Sequence, residues 1–145
     1  KTVRRQRQMC IRDSFRDDGF FITGDMAVRD EDGYVSIVGR DKDLIISGGL
    51  NVYPKEVEGL VDDVEGVLES AVIGVPHRDF GEAVVAVVVR EDPSLEAATI
   101  ETALAEKIAR FKQPKAIEFV DALPRNSMGK VQKAELRKTY GGLFS

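Results

Sequence analysis

The sequence predicts an α+β fold with helices packed on a short mixed sheet, and three observations carry that expectation. After Lys42 the apolar segments follow one another as a β-pair, then α, β, β, α, β, α, the order of helices laid against a sheet. The 145 residues, 43% hydrophobic and 32% charged, suffice for one compact domain with a true core. The most apolar stretch, Ala83 to Val89, is bracketed by Glu82 and Arg90. That is strand length, far short of the roughly 20 residues of a membrane helix, so a membrane partner is not expected.

Each element has a local warrant. Phe20-Phe21-Ile22 is strand-like, and Asp30-Glu31-Asp32-Gly33 supplies a turn, Asp-Gly being a strong hairpin signal. Tyr34 to Val38 is β-branched and bounded by Gly39, and Leu44 to Ser47 reads as the next strand, broken by Gly48-Gly49. Pro54 suits the first turn of a helix running to about Asp62, where its missing N–H is an orphan in any case. Val67 to Val75 and Glu82 to Arg90 are strands separated by the loop Pro76 to Gly81. Ile100, Leu104, Ile108 and Phe111 fall on one helical face, with Glu101 and Glu106 off it. Ala116 to Val120 is a short strand and Gln132 to Tyr140 a final helix.

The organisation breaks near Lys42. Residues 15–41 read as the closing strands of a larger preceding domain, since a free-standing domain would not open on an edge strand without partners. Residues 42–145 form the small α+β domain. Residues 1–14 read as a sequence artefact or a disordered leader: residues 1–12 carry five basic side chains and no acid, and the composition changes abruptly at Asp13. They lack the apolar core of a secretory signal.

Charge is uneven about a formal net of −4. Residues 13–106 hold 7 basic and 22 acidic side chains, residues 107–145 hold 9 and 3. A basic tail is either a solvated helix face or a patch for a polyphosphate such as ATP or coenzyme A. The acidic body would repel a duplex, so nucleic acid is not an expected partner. Cys10 is the only cysteine, which excludes a disulfide framework and a cysteine metal site and fits a reducing, cytoplasmic compartment.

Three runs carry chemistry. In Leu123-Pro124-Arg125-Asn126-Ser127-Met128-Gly129-Lys130-Val131, a proline, a turn and a glycine present one ammonium, Lys130, just before a helix. Such an arm can bring a cation to a phosphate or a carboxylate, although a lysine after glycine is also an ordinary turn residue. In Phe21-Ile22-Thr23-Gly24-Asp25, the carboxylate of Asp25 at a strand end can accept hydrogen bonds from the vicinal hydroxyls of a ribose, or Thr-Gly-Asp is a plain turn. In Gly39-Arg40-Asp41-Lys42-Asp43, Arg40 offers a planar guanidinium to ribose or phosphate oxygens, or a surface ion pair to Asp41 or Asp43. Glu56 and Glu58 near a helix start read as charges favoured by the helix dipole. His77, alone in a polar loop, is assigned no role.

Taken in order, these runs resemble the C-terminal region of adenylate-forming enzymes of the acyl-CoA synthetase family (AMP-dependent synthetases and ligases). The resemblance spans about Phe15 to Tyr140. Phe21 to Asp25 matches the family's aromatic-x-Thr-Gly-Asp motif; Gly39 to Ile45, with Gly48-Gly49 and Pro54-x-Glu56-Val57-Glu58, matches its hinge motif. The resemblance implies a small mobile C-terminal lid domain. It implies that Asp25 and Arg40 hold ATP or AMP, that Lys42 is the hinge, and that Gly48 and Gly49 border the path of the pantetheine arm of coenzyme A. Phe111 and Lys112, in Phe111-Lys112-Gln113-Pro114-Lys115, are implied to meet the coenzyme A nucleotide, though Phe111 also completes the apolar helix face. Gln113 departs from the arginine of some relatives. Lys130 is implied to be the catalytic residue of adenylation.

The implied reaction joins a small carboxylic acid to coenzyme A with ATP, through an acyl-adenylate, releasing AMP and diphosphate. Mg2+ would be bound mainly through the preceding domain, and no metal ligands are assigned here. Arg125 to Lys133 is particularly similar to bacterial malonyl-CoA synthetases, which implies malonate or methylmalonate. Two alternatives stay open: an adenylation domain that loads a carrier protein, and a non-catalytic nucleotide- or RNA-binding α+β module. As a fragment, the chain is expected to be inactive without the preceding domain.

Overall fold

The structure is a computed structural model that describes residues 15–144. The expectation for residues 1–14 lies outside the described residues. The chain divides into two compact units between Lys42 and Asp43, and each is described by itself.

The first unit is a hairpin of β1 (Asp25–Arg29) and β2 (Val35–Arg40), antiparallel, with a bulge between Met26 and Ala27. Its turn is set by Asp30, whose carboxylate accepts the Tyr34 N–H at 2.8 Å, while Gly33 takes φ +90°. The expected strand Phe20 to Ile22 is not formed. Only Phe21 bridges, to Phe15, and their rings meet edge-on at 5.2 Å. Once the turn is fixed at Asp30 to Gly33, the residues that can pair with Val35 to Arg40 are the five before it. Asp25 therefore opens a strand rather than ending one. Tyr34, Val35 and Ile37 are 66–73% exposed. A two-stranded hairpin with its apolar side chains uncovered is marginal alone.

The second unit is a five-stranded mixed sheet with helices on both faces. Its strands are β3 (Ile45–Ser47), β4 (Leu50–Val52), β5 (Val67–His77), β6 (Gly81–Arg90) and β7 (Ala116–Val120); its helices are α1 (Pro54–Asp62), α2 (Ala97–Ala105) and α3 (Lys133–Tyr140). β5 lies at one end, antiparallel to β6; the other side of β6 is shared by β3, which meets it at Gly81, and by β7, parallel over Val85 to Val89. β6 is therefore buried on both faces, and this is why Ala83 to Val89 is an unbroken apolar run instead of an alternation. Val84, Ala86 and Val88 point to a core with Val57 and Val61 of α1 and Ile100 and Leu104 of α2. Ala83, Val85, Val87 and Val89 point the other way, to Leu123 and to Leu136 of α3.

Two expected boundaries shift. The Pro76 to Gly81 loop shrinks to three residues, because β5 continues through Pro76, which pairs opposite Glu82. A proline fits there because β5 is an end strand, where an amide can face away from any partner. The helix through Ile100 and Leu104 stops at Ala105 instead of reaching Phe111. The N–H groups of Lys107 and Ile108 both return to the Leu104 carbonyl, and Ala109 is extended at ψ 144°. A 3-10 turn, Arg110–Lys112, follows, so Ile108 and Phe111 still pack on the same core. Helical spacing recorded which residues reach the core, not the backbone that takes them there.

Candidate functional site

In the first unit, Asp25 and Arg40 are register partners across β1 and β2. Arg40 Nε lies 3.3 Å from Asp25 Oδ1, and not beside Asp41 or Asp43, the surface pairing that was the alternative to a ligand contact. The Asp25 N–H donates to Thr23 Oγ1 at 3.1 Å, and Gly24 holds φ +72°, so the Thr-Gly-Asp run is a shaped turn that aims the carboxylate. An exposed pair of this kind is worth at most about 1 kcal/mol, so a ligand can part it at little cost. A carboxylate beside a guanidinium suits a vicinal diol and an adjacent anionic oxygen. Lys42, exposed, is the middle residue of the 3-10 turn Asp41–Asp43.

In the second unit, Gly48 and Gly49 are the two residues of the β3–β4 turn, at φ +58° and +81°. Both positive values call for glycine in so tight a hairpin. The Gly48 N–H donates to the Phe80 carbonyl at 2.9 Å, and a side chain at Gly48 would stand 3.6 Å from the Phe80 ring. Around Phe80 gather groups that no sequence motif joins. Lys115 Nζ sits 5.0 Å from its centroid, and the His77 ring lies 4.8 Å from it and 5.2 Å from Phe144. A half-exposed aromatic face with an ammonium over it can take a nucleotide base and a phosphate. For Lys115 the only sequence signal was its place in the Phe111 to Lys115 run, and for Phe80 there was none.

Phe111 is half-buried against the core. Lys112 holds both oxygens of Glu56, at 2.7 and 2.8 Å, so it would have to leave Glu56 to meet a ligand. Gln113 donates to the Ile108 carbonyl at 3.2 Å, fastening the turn that follows α2. Glu58 departs most from expectation. It is only 5% exposed, and its carboxylate accepts the Val72 N–H at 3.0 Å and meets Lys133 at 2.5 Å. The dipole argument fails for it because it lies in the second turn of α1, facing the sheet.

Lys130 sits on a small hairpin closed by the bridge Arg125 to Val131. Asn126 organises it: its Oδ1 accepts the N–H of Met128 at 3.0 Å and of Lys130 at 2.9 Å, and Gly129 turns the chain at φ +77°. Arg125 donates to the Gly129 carbonyl at 2.7 Å and pairs with Glu69 of β5. The loop is thus bonded through its backbone while the Lys130 side chain is exposed and has no ion-pair partner among the described residues. Among the same residues, no cluster of three histidine, cysteine or acidic side chains is placed to hold a metal, and no helix is long and apolar enough to cross a membrane.

Comparison with known proteins shows the family of the chain. Residues 56–130 match the AMP-binding enzyme C-terminal domain. The long-chain-fatty-acid–CoA ligase FadD13 of Mycobacterium tuberculosis is 44% identical over 92% of this chain and 26% of its own length. The indoleacetate–CoA ligase of Aromatoleum aromaticum is 46% identical over 83% of this chain and 24% of its own length. Among solved structures, ATP-bound MatB from Rhodopseudomonas palustris superposes with a TM-score of 0.86 at 57% identity, covering 92% of this chain and 27% of that one. The chain therefore spans about a quarter of the length of the relatives it matches. It belongs to the AMP-binding enzyme C-terminal domain family, the C-terminal part of acyl-CoA ligases.

Proposed function

We propose that this chain is the C-terminal part of an ATP-dependent carboxylic acid–CoA ligase, with residues 15–41 closing an adenylation domain and residues 42–145 forming its mobile lid. The observation that carries the reading is the Lys130 hairpin, whose backbone is bonded at both strands while its ammonium remains unpaired among the described residues. When a carboxylate oxygen attacks the α-phosphorus of ATP and diphosphate leaves, negative charge gathers on both reacting groups. An ammonium already held in place offsets that charge more in the transition state than in the ground state. Lys130 is the residue assigned that task.

Asp25 and Arg40 are assigned to the ribose and the neighbouring nucleotide oxygens. Rotation about Lys42 would then withdraw Lys130 and bring up the Gly48-Gly49 turn for thioester formation. That turn presents backbone without side chains, which suits the narrow pantetheine arm. Phe80 and Lys115, beside it, suit the base and phosphates of coenzyme A, together with Phe111 and, once freed from Glu56, Lys112. Malonate or methylmalonate is the acid we favour, supported by the 57% identity to MatB. Relatives that act on a long-chain fatty acid and on indoleacetate match the same region at 44% and 46% identity, so acid selectivity is assigned to the preceding domain.

The test separates two half-reactions in the full-length ligase. Lys130→Ala should abolish acid-dependent ATP–diphosphate exchange yet leave acyl-CoA formation from supplied acyl-adenylate intact. Equal loss of both would remove Lys130 from its role. The 145-residue chain alone should release no diphosphate from ATP and acid; measurable release would end the reading that adenylation needs the preceding domain.

A further inference from the structure

Both flanks of the Lys130 hairpin end on carboxylates that belong to other elements. Upstream, Arg125 pairs with Glu69 of β5. Downstream, Lys133, the first residue of α3, pairs with Glu58 of α1. Glu58 also accepts the Val72 N–H of β5, the end strand of the sheet. It thus takes up an amide beyond the ladder and joins α1, on one face, to α3, on the other, round that edge.

The Lys133–Glu58 contact is not what stability alone would select. A buried ion pair is often no better than apolar side chains of the same volume. A cation in the first turn of a helix opposes the helix dipole. Between the two roots the loop's other hydrogen bonds are internal to it, through Asn126 and Arg125, and Ser127 to Lys130 are all exposed. What the two pairs do is specify direction. They fix both ends of a nine-residue segment to the same edge of the sheet by charge-assisted bonds, which have stricter geometry than apolar contact.

We propose that Glu58 and Glu69 are positioning residues for Lys130: by holding Lys133 and Arg125 they fix the two roots of its hairpin, and with them the point its ammonium reaches. This rests on the reading of Lys130 as the adenylation residue. Because the thioester step is assigned to a different surface of the same unit, the two carboxylates bear on one half-reaction only.

The experiment measures both half-reactions in the full-length ligase carrying Glu58→Gln, Glu69→Gln, Lys133→Arg or Lys130→Ala. A catalytic group displaced by about 1 Å loses on the order of 100-fold in rate. Each Gln variant should accordingly lose about 10- to 100-fold in kcat for adenylation, with the KM for ATP and the thioester rate unchanged. Lys133→Arg, which keeps the charge, should retain adenylation, and the reversed pair Glu69→Arg with Arg125→Glu should regain much of what Glu69→Gln loses. If Glu58→Gln fails to fold, Glu69→Gln carries the test, since both members of that pair are partly solvated. Parallel loss in both half-reactions, or full adenylation in the Gln variants, would overturn the proposal. Full adenylation in Lys130→Ala would instead overturn the reading beneath it, so the two failures are distinguishable.

Discussion

Lys133→Ala is the substitution whose cost follows most directly from the structure. It removes the partner of a carboxylate that is 5% exposed, leaving Glu58 with the Val72 N–H at 3.0 Å and Lys55 at 3.6 Å. Lys55 is a weak replacement, because its side chain is 76% exposed and its charge is spent mostly on water. Breaking a buried pair from one side costs about 3–5 kcal/mol. Water entering the space Lys133 vacates puts the expectation at the lower end, about 3 kcal/mol.

Replacing both members, as Glu58→Leu with Lys133→Met, removes the stranded charge. The remaining cost is the Val72 amide left without an acceptor, about 1–3 kcal/mol. The double variant should therefore be no less stable than Lys133→Ala, although it carries one more change. Urea unfolding of the purified chain, followed by far-UV circular dichroism at constant slope, reads both values. A loss below about 1 kcal/mol for Lys133→Ala, or costs that simply add in the double variant, would refute the claim that Glu58 is a buried, paired carboxylate.

Two further outcomes are expected. Phe80→Ala and Lys115→Ala should each raise the KM for coenzyme A by about 10-fold, the scale of a lost base stack or phosphate contact, and leave ATP–diphosphate exchange unchanged; an unaltered KM would detach the pair from the nucleotide. Asp62 is held above its ordinary value of 3.8 by burial, against the opposing hydrogen bond from Ser70. Its native form keeps a proton that the unfolded chain has released, so this group's contribution to stability falls as pH rises from 3.8 through its raised folded value. Asp62→Asn should therefore gain stability relative to the parent above that window and not below it, which unfolding midpoints across the acid range would show.

The sequence was most informative where local chemistry is self-sufficient. The Asp30 to Gly33 turn, the Gly48-Gly49 turn and the Lys130 hairpin are each specified by a few contiguous residues, through a side-chain acceptor or a glycine at positive φ. The Ala83 to Val89 run announced a strand by its length between Glu82 and Arg90, and the structure showed that strand to be covered on both faces.

Pairings between distant residues were not legible. Helix α2 stops at Ala105 although the apolar spacing runs on to Phe111, because the core accepts a side chain from any backbone that reaches it. Glu58 read only as a charge favoured by the helix dipole because burial is a property of neighbours, and its neighbours Val72 and Lys133 lie 14 and 75 positions away. Phe80 became a candidate only when the turn between β5 and β6 set it against Gly48 and Lys115.

By itself, then, the sequence determined the family and the α+β order, and it nominated candidate residues such as Asp25, Arg40 and Lys130, since these are written in short motifs and in periodicity. The tertiary structure decided which of those residues are paired and which are available. It ties up Lys112 and Lys133 and leaves Lys130 exposed, because charge pairing depends on distances through space that spacing along a chain does not encode.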